Sequence, residues 1–464
     1  MNEAQINQKK NIVILGGGFG GVACAIKLNK LMKQRPALLK DFNVVLVDKK
    51  NYHLYTPALY EVASSVANDG TPLNLKKVVV TPLEEITRGT SIKFIQGAAT
   101  KADVEKKEIL FDDNTAIEYE HLVLALGSEP AYFNIPGLKE YSIPLKSFEN
   151  AIHVRSVIKK KYEEKQNGGT IDIIVGGAGP AGTELSAELI GYIKRLNQKS
   201  RKNIAPRVTL VEGAPDILPG FPAKVVLKAR ARLTKIGVKI KSSFIISKTD
   251  GRFVYIKEEA LAYDALIWTG GVEACSLTRV IGLKEEKRGR METNSCLQCT
   301  PADQHLDIAE NVYAIGDNAC FYGPRAQRAE PRLGKSLAGL LFVSQSLRSW
   351  TNREQSSHDG NPQTKIPAPG TARVAIEQAK VAAENIFRKI TNRPKIEYKL
   401  KNYPFAIPLG GKYAITQIGP MLFVGFSGWV LKQLIELYYL FSITDNQLAF
   451  RRWLRGLGIF AKND

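Results

Sequence analysis

Gly16-Gly17-Gly18-Phe19-Gly20-Gly21 is the stretch on which the fold turns. It follows the β-branched run Asn11-Ile12-Val13-Ile14-Leu15 and leads into residues 22–34, where Val22, Ala25, Ile26, Leu28 and Leu31 fall at helical spacing. A short apolar run ending in glycines reads as a strand buried on both faces. Phe42-Asn43-Val44-Val45-Leu46-Val47-Asp48 reads as a second one, which makes the whole a βαβ unit. Glycine at 16 permits a tight turn, glycine at 18 lets a diphosphate reach backbone N–H groups, and glycine at 21 lets helix and strand approach closely, with Gly20 between them. The phosphates would then sit at the positive N-terminus of the helix. Asp48 ends the second strand, where a carboxylate accepts hydrogen bonds from an adenosine ribose. The crossover is longer than the usual ~20 residues because Arg35-Pro36-Ala37 extends it.

The same succession recurs about 160 residues later. The strand Ile171-Asp172-Ile173-Ile174-Val175 runs into Gly177-Ala178-Gly179-Pro180-Ala181-Gly182, a helix is expected around 183–195, and Arg207 to Glu212 forms the matching strand. An acid at Glu212 favours the free 2′-hydroxyl of NADH and repels the 2′-phosphate of NADPH. One such loop is a weak signal. Two, each between strand and helix and each with a terminal acid, predict an α/β protein with two Rossmann-like domains. Further buried strands are expected at His121–Gly127, Ala265–Gly271 and Asn311–Asp317, and a helix at Ala372–Ile390.

The 464 residues carry 65 Lys and Arg against 45 Asp and Glu, a net charge of +20, which calls for an anionic partner: nucleic acid, an acidic membrane surface or an anionic cofactor. Five cysteines are too few for a disulfide framework, and no apolar run precedes Ile12, so a cytoplasmic, reducing location is expected. Cys296-Leu297-Gln298-Cys299 with His305 is a CxxC that lacks the second pair a zinc site needs, so no metal is expected. Cys24 reads as packed core.

With two dinucleotide loops, the chain resembles the FAD-dependent flavoproteins that have two dinucleotide-binding domains. The resemblance implies FAD at the first loop and NADH at the second, with the second domain inserted in the first. It also implies FAD contacts at Gly316 and Asp317, within Val312-Tyr313-Ala314-Ile315-Gly316-Asp317, and a cofactor-binding turn at Gly271. The expected division is 1–150 and 291–394 for the FAD domain, 151–290 for the NADH domain, and 395–464 for a C-terminal membrane-associating region.

Asn51-Tyr52-His53-Leu54-Tyr55-Thr56-Pro57-Ala58-Leu59-Tyr60-Glu61-Val62-Ala63 narrows the resemblance to type II NADH dehydrogenases, single-chain enzymes that pass electrons from NADH through FAD to quinone without pumping protons. It implies that His53 lies close to the flavin and Glu184 on the nicotinamide side, with quinone near Ala372, Arg373, Glu377, Gln378 and Lys412. Arg373 and Glu377 stand where that family has two glutamines. They are spaced for an i, i+4 ion pair, or Arg373 polarises a quinone carbonyl. The alternatives are a sulfide:quinone or disulfide-type reductase working through Cys296 and Cys299, and a flavoprotein similar to apoptosis-inducing factor.

Tyr413 to Leu431 is nineteen residues without a charge, near the ~20 that span a bilayer. Its Gly, Pro, Ser and Gln content predicts strands and turns instead. Beyond it, Leu431, Leu434, Ile435, Tyr438, Tyr439 and Phe441 share a helical side. Leu448, Phe450, Trp453, Leu454, Leu457, Ile459 and Phe460 are interleaved with Arg451, Arg452, Arg455 and Lys462. Aromatics beside arginine are the composition of a helix lying in a membrane interface. The expected partners are therefore quinone and an anionic membrane surface at the cytoplasmic face, with a homodimer compatible. Residues 395–464 hold nine Lys and Arg against four Asp and Glu, so this region carries only part of the +20. Lipid and dinucleotides together make nucleic acid unnecessary.

Overall fold

The computed structural model describes residues 9–66, 71–302, 310–323, 366–367 and 370–461. Two five-stranded parallel sheets carry the two glycine loops. In the first, Val312–Ala314, His121–Leu124, Lys10–Leu15, Phe42–Asp48 and Ile92–Gln96 lie side by side in that order. In the second the order is Ile143–Pro144, Ala265–Trp268, Thr170–Gly176, Ala205–Glu212 and Lys239–Ser242. The first sheet thus draws strands from both sides of the second along the chain. Ser128–Pro130 pairs antiparallel with Val272–Ala274 where the chain passes between them.

Burial explains the continuous apolar runs. Ile12, Val13, Ile14 and Leu15 are all fully buried, because helices cover a parallel sheet on both faces. On one face the helix Phe19–Lys33 packs against the helix Ala372–Ile390 through small side chains, Ala25 against Ala379, Ala382 and Ala383 in one apolar cluster. Both loop helices begin ahead of their expected starts, at Phe19 and Pro180, because their first turns are made of glycine-loop residues that carry no apolar signal.

The uncharged C-terminal stretch is two strands of the sheet Phe405–Pro408, Ala414–Ile418 and Met421–Gly425, followed by the start of the helix Phe426–Ile443. Among the described residues no helix is long and apolar enough to cross a membrane. Asp445 caps the last helix, Asn446–Phe460, by accepting from the N–H groups of Gln447 and Leu448. Trp453 Nε1 donates to the Gln433 carbonyl at 3.0 Å and ties the two helices into a hairpin.

The outward face of this hairpin differs from the expected one. Phe426, Leu434, Ile435, Tyr438, Phe441, Phe450 and Leu454 are exposed, Ile435 and Tyr438 at the cleft, but Tyr439 turns inward. Arg452, expected among interfacial arginines, is only 9% exposed and donates to Thr81 Oγ1 and Glu85 Oε2, both at 2.8 Å. A guanidinium at that depth has to be paired, and it anchors the hairpin to the first domain. His305, Lys462 and most of the polar stretch 351–370 lie outside the described residues.

Candidate functional site

One cleft of about 2520 Å³ touches Gly17, Gly18 and Gly20 of the first loop, Gly179 of the second, the start of the helix Ala372–Ile390, and the inner side of the C-terminal hairpin. Among the described residues ten Lys and Arg against five Asp and Glu line it, so part of the chain's positive charge is focused where anionic diphosphates would lie. The loops fit that group. A Cβ built on Gly18 or Gly179 would stand in open space, which leaves the backbone bare toward the cleft. At Gly21 or Gly182 it would come within 1.7 or 1.9 Å of the Gly16 or Gly177 carbonyl oxygen, so no side chain is tolerated where helix meets strand. Gly16 and Gly177 turn at φ of +114° and +96°.

The two terminal acids make matching hydrogen bonds. Asp48 accepts from the N–H of Gly17 at 2.6 Å and of Lys50 at 2.7 Å; Glu212 accepts from Ala178 at 2.6 Å and Ala214 at 2.8 Å. Each carboxylate therefore braces its own glycine loop from below, a role in addition to the expected contact with a ribose. Burial pushes the Asp48 carboxyl up, against the pull of its two N–H donors and of Lys49 and Lys50.

Gly316 and Asp317 lie on the cleft wall beyond the first sheet. Asp317 accepts from the Ser128 hydroxyl at 2.5 Å, and Lys146 donates to that hydroxyl at 2.7 Å, so three segments converge there. Gln378, expected to face quinone, is fully buried and accepts the Gly316 N–H at 2.7 Å. It supports the Gly316 turn and is absent from the cleft wall. Gly271 lines the cleft, and a Cβ on it would strike the Phe133 ring at 2.5 Å.

Of the other expected quinone residues, Ala372 and Arg373 line the cleft. Arg373 pairs with Glu377 at 3.0 Å, the i, i+4 alternative, and Glu377 also accepts from Lys380 at 2.7 Å. Glu377 itself does not line the cleft. Lys412 sits exposed in the turn between Phe405–Pro408 and Ala414–Ile418, outside the cleft lining. Lys432, on the helix Phe426–Ile443, does line the cleft, as does Lys401.

Lys432 stands at the centre of a buried charge cluster. It donates to Glu61 at 2.7 Å and to Glu436 at 3.3 Å, with about a tenth or less of each side chain exposed. Burial alone would lower the lysine's pKa, but Glu61 and Glu436 outweigh it and hold the ammonium charged. Glu436 moves the other way from the usual ion-paired carboxylate: burial raises it more than Lys432 lowers it. Glu184 lines the cleft at the start of the second loop's helix. Burial pushes it well up, Lys432 opposes, and Glu61 and Glu188 add to the rise. One Glu61 oxygen accepts from Tyr60 at 2.5 Å, while the other is buried without a partner. The sequence signal for this cluster was available: Lys432 is the first charge after nineteen uncharged residues, with Glu436 one turn on.

His53 is buried beside the first glycine loop, its Nδ1 3.0 Å from the Gly17 carbonyl oxygen and its Nε2 2.8 Å from the Tyr439 hydroxyl. None of the five cysteines lines the cleft. Cys24 and Cys299 are buried, and burial raises both thiols far above their ordinary value, which keeps them unreactive. Among the described residues no group of His, Cys, Asp and Glu is placed to hold a metal.

Known proteins are similar to this chain over nearly all of its length. The type II NADH:quinone oxidoreductase of Mycobacterium tuberculosis is 23% identical over 97% of this chain and 88% of its own. The demethylphylloquinone reductase of Synechocystis is 25% identical over 98% of both chains. Among solved structures, NDH2 from Plasmodium falciparum in complex with NADH superposes with a TM-score of 0.72 at 17% identity, covering 98% of this chain and 99% of that one. The sulfide:quinone oxidoreductase of Aquifex aeolicus does so at 0.71 and 17%, covering 98% and 96%. Residues 10–355, most of the chain, match the pyridine nucleotide-disulphide oxidoreductase family, and the chain belongs to that family.

Proposed function

We propose that this chain is a type II NADH:quinone oxidoreductase that oxidises NADH and reduces a quinone through bound FAD. The observation that carries the reading is the cleft joining both glycine loops to the C-terminal hairpin, with a buried charge cluster around Lys432 in its wall. FAD is held by Gly16, Gly18, Gly20 and Gly21, by Asp48, and by Gly316 and Asp317; NADH by Gly177, Gly179 and Gly182, by Glu212 and by Gly271. Bound flavin supplies the two-electron redox chemistry. The chain's own residues place the dinucleotides and manage protons.

Reducing a quinone takes up two protons along with two electrons. Glu61, Glu184, Glu188 and Glu436 surround two cations, Lys432 and Arg195, in a low-dielectric wall. Such a wall disfavours the excess of negative charge that four ionised carboxylates would bring. Burial raises the pKa of Glu184, which lines the cleft, and of Glu436 behind Lys432, which eases proton uptake on both. Glu184 is thus the candidate proton-holding residue facing NADH, with Lys432 in place of Lys412. Arg373, tied to Glu377, sets the positive potential at the start of the Ala372 helix, where the head of the quinone enters.

Seven large apolar side chains exposed along one hairpin are far more than water favours on a monomer surface. Burying four of them in lipid would supply roughly 6–12 kcal/mol before ordering costs. Arg451 and Arg455, exposed beside them, add about 1 kcal/mol each near anionic lipid. The hairpin therefore attaches the chain to an anionic membrane surface, at the cytoplasmic face, next to the quinone pool. A dithiol reductase would need a cysteine at the cleft, and there is none. The test is a steady-state assay of the purified chain with a short-chain quinone. NADH should support turnover and NADPH should not; turnover that requires Cys296 and Cys299 would overturn the reading.

A further inference from the structure

His53 joins two parts of the molecule that the sequence separates by 386 residues. A carbonyl oxygen only accepts, so the contact to Gly17 places the proton on Nδ1. Nε2 is then the acceptor, and the Tyr439 hydroxyl donates to it at 2.8 Å. Burial holds the imidazole pKa down to about 4, which keeps this neutral tautomer at working pH. The result is one directed chain: Tyr439 hydroxyl to His53, and His53 to the Gly17 carbonyl.

The consequence lies on the other side of the peptide bond. In a planar trans peptide the carbonyl of Gly17 and the N–H of Gly18 point in opposite directions. Holding the Gly17 carbonyl toward His53 therefore turns the Gly18 N–H away from it, at the glycine whose missing side chain bares the loop to the cleft. Asp48 holds the N–H of Gly17 at 2.6 Å, so the residue Gly17 is held through the peptide on either side of its Cα. The rings of Phe19 and Tyr55 pack on Tyr439 at 4.9 and 5.5 Å between centroids, which fixes the hydroxyl's approach.

We propose that His53 is a positioning residue that aims the Gly18 N–H at the flavin diphosphate, and that Tyr439 couples this aim to docking of the helix Phe426–Ile443, so that FAD and the helix each stabilise the binding of the other. Linkage requires the coupling to be reciprocal: the factor by which the tyrosine tightens FAD is the factor by which FAD tightens the helix. The inference rests on FAD occupying the first glycine loop.

The experiment uses the full chain, stripped of flavin and titrated with FAD by fluorescence, with amide exchange read in residues 426–443 at each end of the titration. Tyr439→Phe removes one hydroxyl and leaves the ring packing in place; FAD should bind about fivefold more weakly, the worth of one buried hydrogen bond. FAD should slow exchange in the helix of the parent chain by a similar factor and not in Tyr439→Phe. His53→Asn, whose amide N–H can still reach the Gly17 carbonyl, should match Tyr439→Phe, while His53→Ala should bind FAD at least thirtyfold more weakly than the parent. Should His53→Ala fail to fold, the other two variants decide the matter. Unchanged FAD affinity in Tyr439→Phe and His53→Asn, or FAD-dependent protection of the helix that survives in Tyr439→Phe, would overturn the proposal. Gly18→Val separates this from the reading beneath it: FAD binding that survives that change would place the flavin elsewhere.

Discussion

Replacing Lys432 with Met removes the ammonium between Glu61 and Glu436 while keeping most of the apolar stem. The gross attraction lost is about 6 kcal/mol at 2.7 Å and about 5 kcal/mol at 3.3 Å for an effective dielectric of 20. The net cost is smaller, because the lysine's own desolvation is recovered. Breaking a buried pair from one side costs about 3–5 kcal/mol. Glu436 has an escape, which is to take up a proton. Glu436 is already raised by burial, and Lys432 is the group that opposes the rise. In the variant its folded pKa therefore lies further above the ~4.3 of an unfolded glutamate. The folded variant then holds protons that the unfolded chain releases, so its stability falls as pH rises. Urea unfolding of the flavin-loaded chain at pH 8 should show a deficit of about 3–5 kcal/mol, and at pH 5 less than half of that. Adding Glu61→Gln should recover part of the loss, giving a coupling energy of at least about 1 kcal/mol. Equal deficits at pH 5 and pH 8, with additive effects of the two changes, would show that the cluster is not a coupled charge system.

Two buried imidazoles set a second pH dependence. Burial lowers His53 and His121 to about 4, the nearby lysines adding to the effect at His121. The unfolded chain, with pKa near 6.5, binds the extra proton first, so stability is complete above pH 6.5 and is lost on the order of 3 kcal/mol per imidazole as pH falls toward 4. His121→Gln should flatten that loss in urea melts between pH 7 and 4.5. Glu212→Gln leaves a weaker brace on the second glycine loop and removes the charge facing the ribose; KM for NADH should rise at least about tenfold with kcat largely kept, and discrimination against NADPH should shrink. Replacing Leu434, Phe441 and Phe450 together with Ser should reduce sedimentation with anionic vesicles at least about a hundredfold without changing turnover with a water-soluble quinone.

The βαβ units were legible because a strand buried on both faces needs a continuous apolar run, and because only glycine satisfies the geometry at positions 16, 21, 177 and 182. The strand-end positions of Asp48 and Glu212 pointed to a ribose contact, while their bracing of their own loops through backbone N–H groups came only from the structure. The second half of the site was harder to read. Lys412 and Lys432 both flank the same uncharged stretch, and residue type alone does not say which one a strand-turn-strand leaves in solvent and which a helix carries inward. Gln378 carries the residue type expected for a quinone contact but occupies the inner helical face, where the Gly316 N–H needs an acceptor. Tyr439 and Arg452 fell inside an amphipathic pattern that marks a helix as two-sided without saying which aromatic or arginine is recruited by a buried partner. In each case the missing information was a long-range partner: His53 for Tyr439, Glu85 for Arg452, and Glu61 for Lys432.

The central claim is that one cleft carries electrons from NADH to a quinone through a flavin held on the first loop. It is tested most directly by anaerobic mixing of the purified, flavin-loaded chain, followed by flavin absorbance. NADH should bleach the flavin band within the dead time of a turnover, and a short-chain quinone added next should restore it in full with one quinol formed per flavin. A flavin that NADH does not bleach, or one that quinone leaves reduced, would contradict the account.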